Sequence, residues 1–322
     1  MHSPARWFIV ACTILATPYV AAQGYPEHPI RLIVPYAPGG NIDITARIIQ
    51  PGLSELLHQS FLVDNRVGAG GTIGSDIAAK SPPDGYTVLV GSSGTLTIAP
   101  ALYRKNPYNP VRDFAPVSLV SIVPLVLEVH PSVPVKNVKQ LIALAKSRPG
   151  RLTMASSGTG TTNHLAGENF QAMAGVRFIH VPYKGSGPAL VDLMGGQVDL
   201  MFDQMSSSAA YIRSGKLRAL AVCGTKRSAI FPKLPTVAES GVPGFEATTV
   251  SGLVVAAGTP HAIISKLNAA TVKVMARAGV KERFASIGAE AISSTPEAFA
   301  AFIKQDFAKW QKVVKDANIH VD

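Results

Sequence analysis

The sequence predicts an α/β protein built on parallel sheets with helices on both faces. Three observations carry this prediction. Short β-rich runs alternate with segments that are apolar at helical spacing, an order typical of parallel sheets. The chain of 322 residues is 47% hydrophobic and 16% charged, which is enough for two domains with their own cores. Two strand–turn–helix units also match each other in the kind of turn that they contain.

Individual elements can be assigned from these patterns. The predicted strands are the runs IRLIVPY, TVLVG, LVLEVH, LTMASS, FIHVPY, VDLMFD, LRALAV and GLVVAAG. The segments SDIAAK, VKQLIALAKS, NHLAGENFQAMAG and GPALVDLMGG lie between them and predict helices. One further helix is expected to begin near Asn41, and Pro51 should kink it or make it restart after Gln50.

The segment from Thr295 predicts a long C-terminal helix. Thr295 is the expected N-cap, Pro296 takes the first helical position and Glu297 lies in the first turn. Apolar residues then recur at steps of three and four: Phe299, Phe302, Ile303, Phe307, Trp310 and Val314. Because such a stripe is typical of packing, we expect this helix, with Trp310, to brace the core or the lobes.

The first 22 residues predict a secretory signal peptide that is cleaved before Gln23. Arg6 is their only charged residue, Trp7 to Ala16 is an apolar run, and Val20 to Ala22 is a small-residue cleavage pattern. The run is shorter than the roughly 20 residues that a membrane span needs. A lipoprotein site at Cys12 is the alternative, but cleavage there would leave almost no hydrophobic segment before it. We therefore expect a secreted protein.

The mature chain would be basic and would contain one cysteine. Its net charge is 29 − 20 = +9 once Arg6 is removed, which suits an anionic small molecule, nucleic acid or an anionic surface. The basic residues are dispersed and do not interleave with aromatic residues, so nucleic acid is not an expected partner. A single cysteine, Cys223, cannot form an intramolecular disulfide, and its apolar segment predicts a core residue rather than a nucleophile.

Two small-residue turns are candidate anion sites. The first, PYAPGG, follows the strand Ile30 to Val34, and the second, SSGTGTTNH, follows the strand Leu152 to Ala155. In a parallel sheet both turns lie at the carboxyl ends of strands, where open α/β sheets bind ligands. Uncapped N–H groups and the positive end of the helix dipole favour an anion there, and glycines let the backbone approach it. The alternative is that the glycines only permit tight turns.

Side chains near these turns complete the candidate site. Three roles are open for Asp43: it caps the first helix, accepts hydrogen bonds from a ligand, or holds a bridging water. Asp203 and Ser92 are expected to end strands at the same edge of the sheet. His164 lies four residues before Glu168 and is expected near the ligand but not as a catalyst. The predicted ligand-binding residues are Tyr36, Ala37, Pro38, Gly39, Gly40, Asp43, Ser92, Ser156, Ser157, Gly158, Thr161, His164 and Asp203.

Signatures of catalysis and of cofactor binding are absent from the sequence. It contains no G-x-S-x-G elbow, no phosphate-binding loop with G-K-[ST] and no complete dinucleotide fingerprint. The histidines do not show metal-ligand spacing. We therefore expect no catalytic residues, no cofactor and no metal.

Several segments resemble the Bug family, the extracytoplasmic receptors of tripartite tricarboxylate transporters. They include YPEHPIRLIVPYAPGGNIDITAR, NRVGAGGTIGSDIAAKSPPDGYTVLVG, DFAPVSLV, HLAGENF, VPYKGSGPALVDLMGGQVDLMF, GKLRALAV, LPTVAESGVPGF and AAGTP. The match runs in the same order from about Tyr25 to the C-terminal KWQKVVKDANI. Family members commonly have a Trp before the Gly of the late strand, where this chain reads TTVSGLVV, and a Pro where Ala256 stands. These departures leave the ligand's identity open.

The resemblance implies a periplasmic-binding fold, with two α/β lobes around a central cleft that closes on a small organic carboxylate. We expect residues 23–123 and 250–293 to form lobe 1. Residues 124–249 and 294–322 would form lobe 2, together with the C-terminal bracing helix. The resemblance also implies that backbone N–H groups and ordered waters hold the carboxylates, in the loops Tyr36 to Asp43 and Ser156 to His164. It implies membrane transporter subunits as partners, and a monomer is expected.

Three functions are compatible with these observations. The first is a periplasmic receptor that captures a carboxylate for transport. The second is a ligand-dependent sensor whose closed form binds a signalling partner. The third is a secreted hydrolase or isomerase that uses His164 or Asp203 as a base, against which the missing nucleophile and metal motifs argue.

Overall fold

A computed structural model describes residues 24–316 of the chain. The predicted signal peptide, residues 1–22, lies outside the described residues. The strands are β1 (Ile30–Val34), β2 (Phe61–Asn65), β3 (Thr87–Ser92), β4 (Phe114–Val129), β5 (Thr153–Ser156), β6 (Ile179–Pro182), β7 (Leu200–Gln204), β8 (Arg218–Val222), β9 (Thr248–Ala256) and β10 (Glu290–Ala291). The helices are α1 (Asn41–Leu57), α2 (Thr72–Ala79), α3 (Ala99–Leu102), α4 (Val138–Ser147), α5 (Thr162–Ala174), α6 (Ser186–Met194), α7 (Met205–Arg213), α8 (His261–Ala276), α9 (Ala278–Ser286) and α10 (Pro296–Asp316), with shorter helical turns at Ala69–Gly71 and Gly94–Ile98.

One mixed sheet runs through the molecule in the order β2-β1-β3-β9-β4-β7-β5-β6, and β8 and β10 also pair with β4. The outer strands pair in parallel: β1 with β2 and β3, and β5 with β6 and β7. β4 and β9 run antiparallel to each other and to β7 and β3. The prediction of parallel pairing is therefore confirmed for the outer strands and wrong for β4 and β9, through which the chain crosses between the two halves.

β4 joins the two halves of the molecule because it is long enough to belong to both. Its residues 114–124 pair with β9, whereas residues 125–129 pair with β7. Separate hydrophobic clusters lie on the two sides. Ile49 and Leu53 of α1 belong to one, and Phe170 of α5 packs on Phe202 of β7 in the other, with ring centroids 5.3 Å apart. Two α/β lobes thus share a pair of crossing strands.

The predicted elements are present, with two additions to the strands. All eight predicted strands occur, and β2 and β10 were not predicted. α1 begins at Asn41 as expected but runs through Pro51 to Leu57, so the predicted restart after Gln50 is wrong. The buried side chains of Ile49 and Leu53 stabilise the helix on both sides of the proline. Cys223, which follows β8, is fully buried as predicted.

The C-terminal helix begins as predicted but packs on a different lobe. The Oγ1 of Thr295 accepts a hydrogen bond from the N–H of Ala298 at 3.2 Å, as an N-cap does. Phe299 and Ile303 pack in one cluster with Leu89 of β3 and Val254 of β9. The assignment of this helix to lobe 2 is therefore wrong, because its apolar stripe matches a first-lobe surface. The side chain of Val314 is not among those described, and the other lobe boundaries stay a prediction.

Among the described residues, none of the helices combines the length and the apolarity that a membrane span requires.

Phe299→Ala should destabilise the fold by about 3–5 kcal/mol, because it leaves a cavity at a fully buried site. The ring lies directly over Gly252, where a Cβ would come within 2.4 Å of Cζ. Urea unfolding of the variant measures the loss. Phe302→Ala, three residues further along the same helix and only partly buried, is the matched control and should cost clearly less. Equal losses for both variants would contradict the packing described here.

Candidate ligand-binding site

A cleft lies where the carboxyl ends of β1, β3, β5 and β7 meet. It contains about 320 Å³ of space not occupied by atoms, open solvent included. The residues that line it are Tyr36, Gly40, Asn41, Ile42, Ser92, Ser157, Thr161, Thr162, Asn163, Ser186, Gln204 and Thr249. All of them are uncharged, so any electrostatic preference of the cleft comes from dipoles and from hydrogen-bond donors.

Four helices begin at this cleft, namely α1, α5, α6 and α7. At three of them the N-cap residue offers no side-chain cap: Gly40, Gly185 and Gln204. α5 is capped by its own Thr161, whose Oγ1 accepts from the N–H of His164 at 3.4 Å. Helix N-termini carry a partial positive charge and unpaired N–H groups. The convergence of four such ends favours an anion without any cationic side chain.

The first turn is held in place by contacts behind it. The N–H of Ala37 donates to the carbonyl of Lys184 across the cleft at 3.0 Å, and the N–H of Gly39 donates to Asp43 Oδ2 at 3.0 Å. Gly39 has a φ of 85°, a conformation that suits glycine. These two N–H groups are therefore engaged, which leaves Gly40, Asn41 and Ile42 to face the cleft.

Asp43 is buried and supports the first turn rather than lining the cleft. Arg47 Nε donates to its Oδ2 at 2.9 Å, and Asn65 Nδ2 donates to its Oδ1 at 3.1 Å and to the carbonyl of Tyr36 at 3.0 Å. Burial alone would raise the pKa of Asp43, but hydrogen bonds from Arg47, Gly39 and Asn65 lower it. The ionised carboxylate thus fixes the turn that carries the cleft residues.

The second turn is tied together by its own side chains. Ser156 Oγ accepts from the N–H of Gly158 at 3.1 Å and shares a hydrogen bond of 2.6 Å with His180 Nε2. Thr161 Oγ1 donates to the carbonyl of Gly158 at 2.6 Å. Ser157 Oγ donates to Asn163 Oδ1 at 2.5 Å. The turn therefore keeps its shape whether or not a ligand is present.

His164 lies beside the second turn, and its buried imidazole pairs with that of His180. Its ring stacks on His180 with centroids 4.1 Å apart, and its Nδ1 accepts from the N–H of Gly160 at 3.3 Å. Burial, helped by His180, lowers the pKa of His164 to about 4. Glu168 Oε1 lies 3.8 Å from its Nε2. At neutral pH this histidine is an uncharged part of the loop's support.

Asp203 lies behind the cleft wall. Its Oδ1 accepts from Asn163 Nδ2 at 2.8 Å and from Ser186 Oγ at 2.5 Å, two side chains that line the cleft. Its Oδ2 accepts from Ser208 Oγ at 3.0 Å, and that hydroxyl also lies 2.7 Å from Glu128 Oε1. Asp203 therefore orients cleft residues and does not itself reach the cleft.

The predicted residues divide into cleft residues and supporting residues. Those that line the cleft are Tyr36, Gly40, Ser92, Ser157 and Thr161. Those that flank or support it are Ala37, Pro38, Gly39, Asp43, Ser156, Gly158, His164 and Asp203. Asn41, Ile42, Thr162 and Asn163 also line the cleft; they lie within the two predicted loops but were not among the residues predicted individually. Sequence reasoning missed Ser186, Gln204 and Thr249. Two sequence segments could have revealed Ser186 and Gln204. KGS leads from a strand into a helix, and DQ ends a strand just before a helix, so both segments belong to the same edge of the sheet.

No group of three or more His, Cys, Asp or Glu residues that could hold a metal ion occurs among the residues from 24 to 316 that the structure describes.

Comparison with known proteins places the chain in a family. Residues 45–319 match the family described as the tripartite tricarboxylate transporter family receptor, TctC. The chain belongs to this receptor family. It is 41% identical over 308 residues to protein BugT of Bordetella pertussis, a match that covers 95% of this chain and 94% of that protein. The resemblance of its motifs to the Bug family is thereby confirmed.

Solved structures of similar proteins contain carboxylates. This receptor chain is similar to R. palustris Rpa4515 with adipate, with a TM-score of 0.89 and 38% identity over 92% of this chain and 99% of that one. It is also similar to MatC from Rhodopseudomonas palustris with bound malate, with a TM-score of 0.87 and 33% identity over 90% of this chain and all of that one. Its fold is that of the two-lobed periplasmic binding proteins, as predicted.

Glu128→Gln should change how stability depends on pH. Burial raises the pKa of Glu128 well above its ordinary value of 4.5, and Asp203 raises it further. As the pH rises above 4.5, the folded protein keeps a proton that the unfolded chain releases, so Glu128 lowers stability progressively until the pH passes its raised pKa. The variant lacks this loss of stability. Over this pH range its free energy of unfolding should therefore rise relative to that of the wild type by up to about 1.4 kcal/mol per pH unit.

Urea unfolding at pH 5, 6 and 7 tests this difference. The exposed Glu246 provides the control, because Glu246→Gln should leave the pH dependence of the wild type in place. Parallel curves for the wild type and Glu128→Gln would show that Glu128 is not protonated in the folded state.

Proposed function

We propose that this protein is a periplasmic solute-binding receptor that captures a small organic carboxylate between its lobes and presents it to membrane subunits of a tripartite tricarboxylate-type transporter. The observation that carries the proposal is the convergence of α1, α5, α6 and α7 on one uncharged cleft. Carboxylates bound to the similar Rpa4515 and MatC support the ligand class. The transporter partner is supported by the family, and the periplasmic location by the signal peptide predicted from residues 1–22.

Closure of the lobes is supported by contacts between backbones across the cleft. A Cβ on Gly187 of α6 would lie 2.1 Å from the carbonyl oxygen of Pro38, and one on Gly70 would lie 2.1 Å from that of Thr159. Tyr103 Oη also donates to the carbonyl of Thr159 at 3.1 Å. A ligand that touches both turns only in the closed state shifts the population toward that state. Glycines at these points let the lobes approach closely enough.

A hydrolase or isomerase is disfavoured by the two residues that would act as its base. The Nδ1 of His164 accepts from the N–H of Gly160, and the carboxylate of Asp203 accepts hydrogen bonds from Asn163, Ser186 and Ser208. Neither side chain lines the cleft. The proposed receptor therefore binds and releases its ligand without a reaction.

Thermal unfolding should reveal the ligand class. The refolded protein is tested against a panel of small dicarboxylates, such as succinate and malate, and against their diamides. At 100 times the Kd, a bound acid stabilises the protein by about 2.7 kcal/mol, which raises the melting temperature visibly. The diamides should give no shift, because they lack the negative charge that the helix N-termini favour. A broad panel of acids without any shift would refute the receptor proposal.

Gly187→Ala should weaken ligand binding while the unliganded protein stays folded. In this structure the new methyl group would meet the carbonyl of Pro38 across the cleft. If closure brings these residues together, as proposed, the dicarboxylate that gives the largest thermal shift should bind at least about tenfold more weakly, roughly 1.4 kcal/mol. The unfolding free energy without ligand should change by less than about 1 kcal/mol. Isothermal titration calorimetry measures the affinity.

Gly279→Ala on α9 is the matched control, because a Cβ there would meet no atom within 4 Å. Equal affinities of Gly187→Ala and Gly279→Ala would contradict closure through this contact.

A further inference from the structure

Asn41 carries a buried donor with no partner. It is the first residue of α1, lines the cleft and is only 3% exposed. Its Oδ1 accepts from Ser206 Oγ at 2.7 Å, which fixes the amide. Its Nδ2 makes no hydrogen bond within the part of the chain that the structure describes. A buried donor left unpaired costs about 1–3 kcal/mol, so this amide is suited to a partner that enters with the ligand.

The other amides of the cleft are already engaged. Asn163 Nδ2 donates to the carbonyl of Phe202 and to Asp203 Oδ1, both at 2.8 Å. Gln204 Nε2 donates to Asn163 Oδ1 at 3.1 Å and to Thr249 Oγ1 at 3.0 Å. These two side chains form a fixed wall. Among the amides that line the cleft in the described chain, Asn41 is the one whose N–H groups are left for a ligand.

Hydroxyl groups are common among the other lining residues. They end the side chains at seven positions: Tyr36, Ser92, Ser157, Thr161, Thr162, Ser186 and Thr249. Most of these hydroxyl groups already have partners within the protein, as Ser157 Oγ donates to Asn163 Oδ1 and Ser186 Oγ donates to Asp203 Oδ1. Asn41 Nδ2 differs from them in having none among the described residues. A ligand whose carbon chain itself carries oxygen would give this donor a partner.

We propose that Asn41 is a specificity-determining residue. Its Nδ2 donates to a hydroxyl oxygen on the carbon chain of the ligand, so that the protein selects short hydroxylated dicarboxylates over the unsubstituted acids. This inference rests on the proposed function, in which the helix N-termini hold the carboxylates. A site built to bond a hydroxyl group rejects the analogue that lacks it, because its own donor is then left unpaired.

Calorimetric titration of the refolded protein with malate and with succinate tests the proposal, because these acids differ by one hydroxyl group. The wild type should bind malate at least tenfold more tightly than succinate. Asn41→Ala should reduce this ratio to less than threefold, mainly by weakening malate. A purely structural role of Asn41 would weaken both acids alike and leave the ratio unchanged.

Two further variants test whether the effect is specific to the amide of Asn41. Asn137→Ala removes the same amide at the N-cap of α4, where it accepts from Gln140, and should lower stability while keeping the ratio. Asn41→Asp places a negative charge at the same position and should weaken malate further. If Asn41→Asp left malate binding unchanged, residue 41 would not face the hydroxyl group and the proposal would be wrong.

The failures of the two proposals can be told apart. Equal binding of malate and succinate by the wild type, or an unchanged ratio in Asn41→Ala, overturns the role of Asn41 and leaves a carboxylate receptor. Absence of binding to every carboxylate in the thermal-unfolding panel overturns the proposed function and this inference together.

Discussion

The cleft depends on the alignment of helix N-termini at one edge of the sheet. Parallel strands bring their carboxyl ends together, and the chain enters a helix there, as β1 leads through a short turn into α1 and β7 continues directly into α7. The dipoles of these helices then act on the same small volume. Because the charge preference resides in the backbone, the lining can be made of neutral side chains, which need no counter-ion when the cleft is empty.

Carboxyl groups behind such a site oppose an anion unless their charge is compensated. The structure deals with each differently. Asp43 is ionised but paired with Arg47, Asp203 is surrounded by hydroxyl and amide donors, and burial raises the pKa of Glu128, which favours the uncharged form of that carboxyl. Buried polar residues that would lower stability in an apolar core are tolerated here because they hydrogen-bond to one another, and these hydrogen bonds hold the turns rigid.

The sequence was informative where a local pattern has one meaning. Glycines after β1 and β5 predicted the two turns, and the residues around Thr295 predicted the start of α10. It was uninformative where the partner lies far along the chain. The start of α7 has no apolar stripe that would reveal which of its side chains are buried. Its buried serines contact Asp203 and Glu128 instead of an apolar core. The stripe of α10 likewise did not reveal that Gly252 makes room for Phe299.

Binding of carboxylates through the backbone, as proposed here, would also separate affinity from selectivity. N–H groups at a helix start are the same whatever the side chain, so replacements at these positions can alter the ligand without disturbing the anion site. Asn41 and Ser186 stand at two such starts. Ser251 forms a 2.6 Å hydrogen bond with Ser121 between the crossing strands. Small polar side chains thus hold together the strands that both lobes share, whereas those at the helix starts face the cleft.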